Sequence, residues 1–96
     1  MASTKDYKDY ILEELYLLDS ITCKPMMGEY ILYYNGIIFG GIYDDRLLVK
    51  RNDNNKKYNM KEVIPYKNAK PMYLVEDVDN SELLKEIVLD TYKGVK

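Results

Sequence analysis

Apolar residues near the start of the chain recur at steps of three and four: Tyr7, Tyr10, Ile11, Leu15 and Leu18. This spacing places them along one side of an α-helix, with Asp9, Glu13 and Glu14 toward the other, so the pattern predicts an amphipathic helix packed on something flat. Ser3 and Asp6 have the spacing of a capping box at its start. From Met26 to Lys50 the helical period disappears and Tyr and Ile dominate, residue types that suit a pleated, half-buried surface. Asn35-Gly36 is a strong hairpin signal because both residues tolerate positive φ, and Asp44-Asp45 is a second, weaker turn. Three antiparallel strands are therefore predicted near 27–34, 37–43 and 46–50.

Beyond residue 50 the pattern is less regular. Residues 53–63, with Tyr58 and Val63 among polar neighbours, allow a short second helix that Pro65 would stop. Ile64–Tyr66 and Met72–Val75 read as two more strands joined by a turn at Lys67–Lys70. Asp79 with Glu82 repeats the capping-box spacing, and Leu83, Leu84, Ile87, Val88 and Tyr92 then form the apolar stripe of a closing helix. The predicted order is α-β-β-β-α-β-β-α. It implies an α+β fold, a two-layer α/β sandwich with a mainly antiparallel five-stranded sheet under helices.

Length and composition narrow this picture further. The chain has 96 residues, enough for one core and too few for two, so residues 1–96 are read as a single domain. A hydrophobic share of 47% beside 31% charged residues is that of a chain able to offset the entropy of ordering. No apolar run reaches the roughly 18 residues of a membrane-spanning helix, and the first ten residues carry Lys5, Asp6, Lys8 and Asp9 where a signal peptide would be apolar. A cytoplasmic protein without membrane contact is expected. There is no histidine, which removes Ser-His and Cys-His nucleophile pairs and the usual proton carrier near neutral pH. The one cysteine, Cys23, has no partner for an internal disulfide, and no metal site is expected. No carboxylate, lysine or tyrosine pair is singled out by its spacing, so neither catalytic residues nor a cofactor are assigned.

The middle of the chain, from Lys24-Pro25-Met26-Met27-Gly28-Glu29-Tyr30 through Asp44-Asp45-Arg46-Leu47-Leu48-Val49-Lys50, resembles the signature of the TfoX N-terminal domain family, which includes the Sxy/TfoX competence regulators. The shared positions are Met26, Gly28, Leu32, Tyr33, Gly36, Phe39, Asp44, Asp45 and Lys50, and they are read as structural. Pro71-Met72-Tyr73 and the acidic approach to the last helix are also similar, so the likeness extends over nearly the whole chain. Met27 stands where the family usually has Phe, a site that Met can fill. Glu29 stands where a second Gly is common. The full competence regulators carry a further C-terminal domain that this chain leaves no residues to build, so a stand-alone module is expected. The resemblance implies a two-layer α/β fold and a regulatory, protein-binding role without enzymatic activity. It also implies a transcription-regulatory partner, a cyclic-AMP receptor-type activator in competence regulators.

Charge offers an alternative. Residues 50–70 hold seven basic side chains against two acidic ones, although the chain as a whole carries a net charge of −2. Arg51, Lys56, Lys57 and Lys61, with Tyr58 and Tyr66 to stack on bases, could follow a phosphate backbone. An acidic protein with a solvated basic face is the preferred reading, and direct nucleic-acid binding is the lesser one. The eleven tyrosines are read as sheet packing ahead of a ligand wall. Gly40-Gly41 is read as a bulge or close backbone approach ahead of a nucleotide loop. Asp77, Asp79 and Glu82 are read as capping ahead of a calcium loop, and Cys23 as a small core or edge residue ahead of a redox sensor. Met26, Met27, Met60 and Met72 are read as core filling ahead of a partner groove. Three functions remain: a protein-binding regulatory module, a nucleic-acid accessory domain acting through residues 50–70, and a small enzyme or ligand-binding protein using the Tyr-rich sheet. The first is preferred, with homodimerisation through an exposed strand edge as a secondary expectation.

Overall fold

The computed structural model describes residues 3–95. Helix α1 (Lys5–Glu14) precedes four strands that follow one another as a meander, β1 (Ile21–Met26), β2 (Glu29–Tyr34), β3 (Ile37–Ile42) and β4 (Leu47–Val49). A 3-10 turn (Lys56–Tyr58) leads to β5 (Lys61–Val63) and β6 (Met72–Val75), and α2 (Ser81–Val95) closes the chain. The six strands form one antiparallel sheet in the order β1-β2-β3-β4-β6-β5.

The fold class is the expected α+β, with four corrections. The sheet has six strands, because Ile21–Met26 is itself a strand paired along its whole length with β2. Residues 53–63 form one 3-10 turn and a strand instead of a helix, and Ile64–Tyr66 is not a strand. The strand expected from residue 27 begins at Glu29, because Met27-Gly28 is a turn.

That turn is one of three built alike. Met27 and Gly28 (φ 51° and 86°), Asn35 and Gly36 (52° and 77°), and Asp44 and Asp45 (53° and 54°) all have positive φ at both central positions. This is what a type I′ turn needs, and its twist matches that of the strands it joins. Met27 is 96% exposed at the tip of its turn, so neither it nor the half-exposed Met26 fills the core.

Both helices lie against one face of the sheet. Ile11, Leu15 and Leu18 from the first helical segment and Leu84, Ile87 and Val88 from α2 pack with Leu32, Phe39, Ile42, Leu47, Val49 and Val75 in the main core. The caps sit one residue beyond their expected places. Thr4, not Ser3, accepts from the Tyr7 amide (3.2 Å), and Asn80, not Asp79, accepts from the Leu83 amide (3.1 Å). Ser3 has another task. Its amide and hydroxyl donate to Glu29 Oε1 (2.9 and 2.7 Å), and its hydroxyl accepts from the Asp45 amide (3.1 Å). Glu29 also accepts from the Asp44 amide (3.2 Å), so one carboxylate joins the N-terminus to two hairpin ends. A second polar network centres on two fully buried residues, Asn55 and Thr91: Asn55 Nδ2 donates to Lys50 O and to Thr91 Oγ1 (2.8 Å each), and Asn52 Nδ2 donates to Thr91 O (2.9 Å). It fixes the loop after β4 against α2.

The register of β3 slips by one residue where Phe39 bulges out of the ladder with β2. Phe39 and Ile42, three residues apart, thereby both reach the main core. Gly40 sits in the bulge, where a Cβ would overlap the Leu48 carbonyl oxygen. Gly40→Ala is therefore expected to destabilise the protein by about 1–3 kcal/mol, the usual cost of forcing extra volume into a packed site. Urea unfolding would read it, and an unchanged midpoint would show that β3 and β4 can move apart freely.

On the far side of α2, the Tyr58 hydroxyl donates to Asp90 Oδ2 (2.6 Å), and Lys57 Nζ lies 3.1 Å from the same oxygen. The Tyr58 bond, and then Lys57 and Lys93, hold the Asp90 carboxyl below its usual range, while burial and the neighbouring carboxylate push Tyr58 up. A depressed carboxyl contributes stability that is present above its unfolded value of about 4 and is lost as pH falls through the folded value. Tyr58 contributes stability present below about pH 10 and lost above it. Asp90→Asn is expected to flatten the acid limb of stability below about pH 4. Urea midpoints across that range check this, and an acid limb of unchanged steepness counts against it.

Candidate functional site

Alternation along the strands leaves the second face of the sheet without a helix. It carries Ile31, Leu48, Val63, Met72 and Leu74, covered at the centre by Tyr43. Tyr43 reaches this face because the Phe39 bulge has already turned Ile42 inward. Its ring lies close to Gly41, where a Cβ would stand 2.9 Å from it, so the glycine makes room for the tyrosine.

The segment between β5 and β6 arches over part of this face. Pro65 is buried, and the Ala69 amide donates to Tyr66 O (3.1 Å) in a turn whose third residue, Asn68, takes φ 69°. Tyr66 leans on Tyr43 with ring centroids 6.0 Å apart. Arg51 ties the arch down: Nε donates to Pro71 O (3.1 Å) and Nη1 to Glu62 Oε1 (2.8 Å). An exposed ion pair adds little by itself, but here one guanidinium holds the end of the arch and β5 together.

Between arch and sheet lies a shallow hollow of about 480 Å³. Ile38, Met72 and the two tyrosines give it apolar walls, and Lys50, Arg51 and Lys70 give it charge, with no acidic side chain in the lining among the described residues. Lys50 is held by its backbone, its amide donating to Phe39 O (2.9 Å) and its carbonyl accepting from Asn55. Burial pushes the Tyr43 hydroxyl up, so it remains a neutral hydrogen-bonding group near neutral pH.

The basic stretch thus divides. Arg51 borders the hollow. Lys57 turns to Asp90 and lies 5.5 Å from the Tyr58 ring, Lys56 is exposed in the 3-10 turn, and Lys61 is exposed on β5. None of these three lines the hollow. Of the tyrosines expected to stack, Tyr66 is there and Tyr58 is bonded to Asp90 instead. Lys70 and Tyr43 belong to the hollow as well; the charge of the stretch ending at Lys70 pointed to the first, and no local signal pointed to Tyr43.

Elsewhere the residues offer less. Cys23 faces the main core from edge strand β1, and burial, its largest influence, raises its thiol and keeps it from being a ready thiolate. Among the described residues no three Cys, Asp or Glu side chains converge as metal ligands. No helix of residues 3–95 is long and apolar enough to cross a membrane.

The signature positions now have places. Gly28, Gly36, Asp44 and Asp45 make the three left-handed turns, and Met26 ends β1 beside the first of them. Leu32 and Phe39 are fully buried in the main core, while Tyr33 and Lys50 stand on the helix-free side. No curated protein matches the sequence. The family model of the TfoX N-terminal domain matches residues 13–93, which run from within α1 to within α2 and include every strand, and the chain belongs to that family.

Proposed function

We propose that this domain is a regulatory module that acts by binding another protein and performs no chemistry of its own. The observation that carries the reading is the helix-free sheet face. It is apolar at its centre and opens into a hollow with cations and tyrosines along its walls. Such a surface suits recognition, since aromatic side chains, Met and Arg are enriched where proteins meet. A chain without histidine offers no imidazole base, and Cys23 faces the core with a raised pKa, which supports a non-catalytic role. Family membership supports transcription regulation as the process served, with a transcription-regulatory protein as the partner.

Direct nucleic-acid binding has less support. Arg51 and Lys57 are engaged with Glu62 and Asp90, and a duplex or single strand is held by several phosphate contacts at once. Self-association through β1 is a secondary element of the proposal. The free edge of this strand is six residues long, but Pro25 lacks an amide donor and Lys24 adds charge, both of which restrain pairing. A weak, concentration-dependent dimer is expected in sedimentation, and a strict monomer at high concentration would remove this element.

The main reading is tested by crosslinking pull-down from native cytosol, with a nuclease-treated sample beside it. A transcription-regulatory protein that remains enriched after nuclease is the expected result. Recovery of nucleic acid alone, or loss of every partner on nuclease treatment, would overturn it in favour of a nucleic-acid accessory domain.

A further inference from the structure

The charge and shape of the hollow indicate what kind of segment it receives, and the inference rests on the protein-binding reading above. We infer that the hollow between strands β3 and β4 and the 64–71 arch is the docking site for an acidic stretch of the partner protein, one in which carboxylates flank a large apolar side chain.

Charge complementarity is the first argument. Among the described residues three cations and no acid line the hollow, within a chain whose net charge is −2. The excess of positive charge is therefore local. Arg51 is already committed to Glu62 and Pro71. Among the described residues neither Lys50 nor Lys70 has an ion-pair partner, and both are exposed. Two free ammonium groups suit one or two carboxylates. They are too few for the run of phosphates that gives a nucleic acid its affinity, and the negative charge of the rest of the chain opposes a polyanion's approach.

The walls give the second argument. Ile38 is 36% exposed and Tyr66 58%, and together with Met72 they leave apolar surface open beside the cations. A hollow of about 480 Å³ accommodates a bulky side chain and its neighbours. A segment bearing charge alone would leave those walls wet, and one that is apolar alone would leave both lysines unmatched. An aromatic or aliphatic side chain between carboxylates meets both requirements.

The probes are four fluorescein-labelled ligands: ten-residue peptides with a central Phe flanked by Glu, by Gln or by Lys, and a ten-nucleotide oligo-dT. The full chain is titrated by fluorescence polarisation, and methyl NMR of Ile38 and Met72 locates the contact. The Glu peptide is expected to bind about fivefold to tenfold more tightly than the Gln peptide, the factor supplied by two exposed ion pairs, with the advantage shrinking as salt is raised. Lys50→Glu with Lys70→Glu should abolish that preference while leaving the urea midpoint in place, since both side chains are exposed. Equal affinity for the Glu and Gln peptides, binding of no peptide, or methyl shifts confined to another surface would overturn the inference. Tighter binding of oligo-dT at the same methyls would overturn it in favour of nucleic acid. Loss of a dimer in sedimentation on making the double variant would overturn it in favour of a second copy of the chain. If the double variant still captures the same nuclease-resistant partner as the natural protein, docking at the hollow fails while the protein-binding reading stands. If the natural protein captures no partner, that reading itself fails.

Discussion

Much of the architecture follows from one extra residue in β3. Had the strand run in regular alternation, Phe39 and Ile42 would point to opposite faces of the sheet. The bulge at Phe39 brings both into the core under the helices, and it presents the Phe39 carbonyl to the Lys50 amide. The next residue in sequence, Tyr43, then emerges on the other side. Gly40 makes this possible, because the bulged backbone comes so close to β4 that no side chain fits. A single local irregularity therefore sets the packing of one face and places a tyrosine and a lysine on the other.

The two faces are finished by different means. Under the helices the means is volume, with Leu, Ile, Val and Phe from six elements filling one core. The loop after β4 is secured by polar groups, with Asn55 and Thr91 both fully buried and both satisfied. A buried amide left unpaired would cost about 1–3 kcal/mol, so the network also specifies how α2 sits on this loop. The helix-free face is covered only in part, by Tyr43, buried Pro65 and an arch held through Arg51. Apolar surface remains open there beside Lys50 and Lys70, which form no ion pair among the described residues, a combination that folding alone does not require.

The sequence made some of this legible and concealed the rest, for identifiable reasons. Asn35-Gly36 and Asp44-Asp45 were readable as turns because their side chains favour positive φ, and Gly40-Gly41 as a bulge because glycine within a strand usually marks one. Met27-Gly28 carries no such signal, since methionine is not a residue that favours the φ of 51° it adopts there. Strand β1 was hidden for a related reason: Thr22, Lys24 and Pro25 lie on an edge, where the chain needs few apolar residues. The second helix is absent because the Asn52 and Asn55 side chains accept from the backbone amides of Asn52, Asn54 and Asn55, which competes with helix formation. Of the hollow, the charge of the 50–70 stretch was visible, but which lysines meet depends on the pairing of β4 with β6 and on the arch. Both are long-range features that no local spacing records.

The family signature adds a final distinction. Its positions in this chain fall mainly on left-handed turns and core side chains, so the signature describes the scaffold, and a scaffold supports more than one function. Lys50 is the point where signature and hollow coincide, since its backbone continues the bulge geometry while its side chain enters the lining. Ile38, Gly40 and Tyr43 lie within the 26–50 stretch without being shared positions, and the other wall residues come from Arg51, the arch and the start of β6. Loops held over a rigid sheet are where recognition residues can vary without cost to the core. Glu29 shows the same separation from the opposite side. A carboxylate in place of a common glycine leaves the hairpin intact and gains bonds to Ser3 and Asp44, so this departure from the family pattern was absorbed by the scaffold and does not reach the hollow.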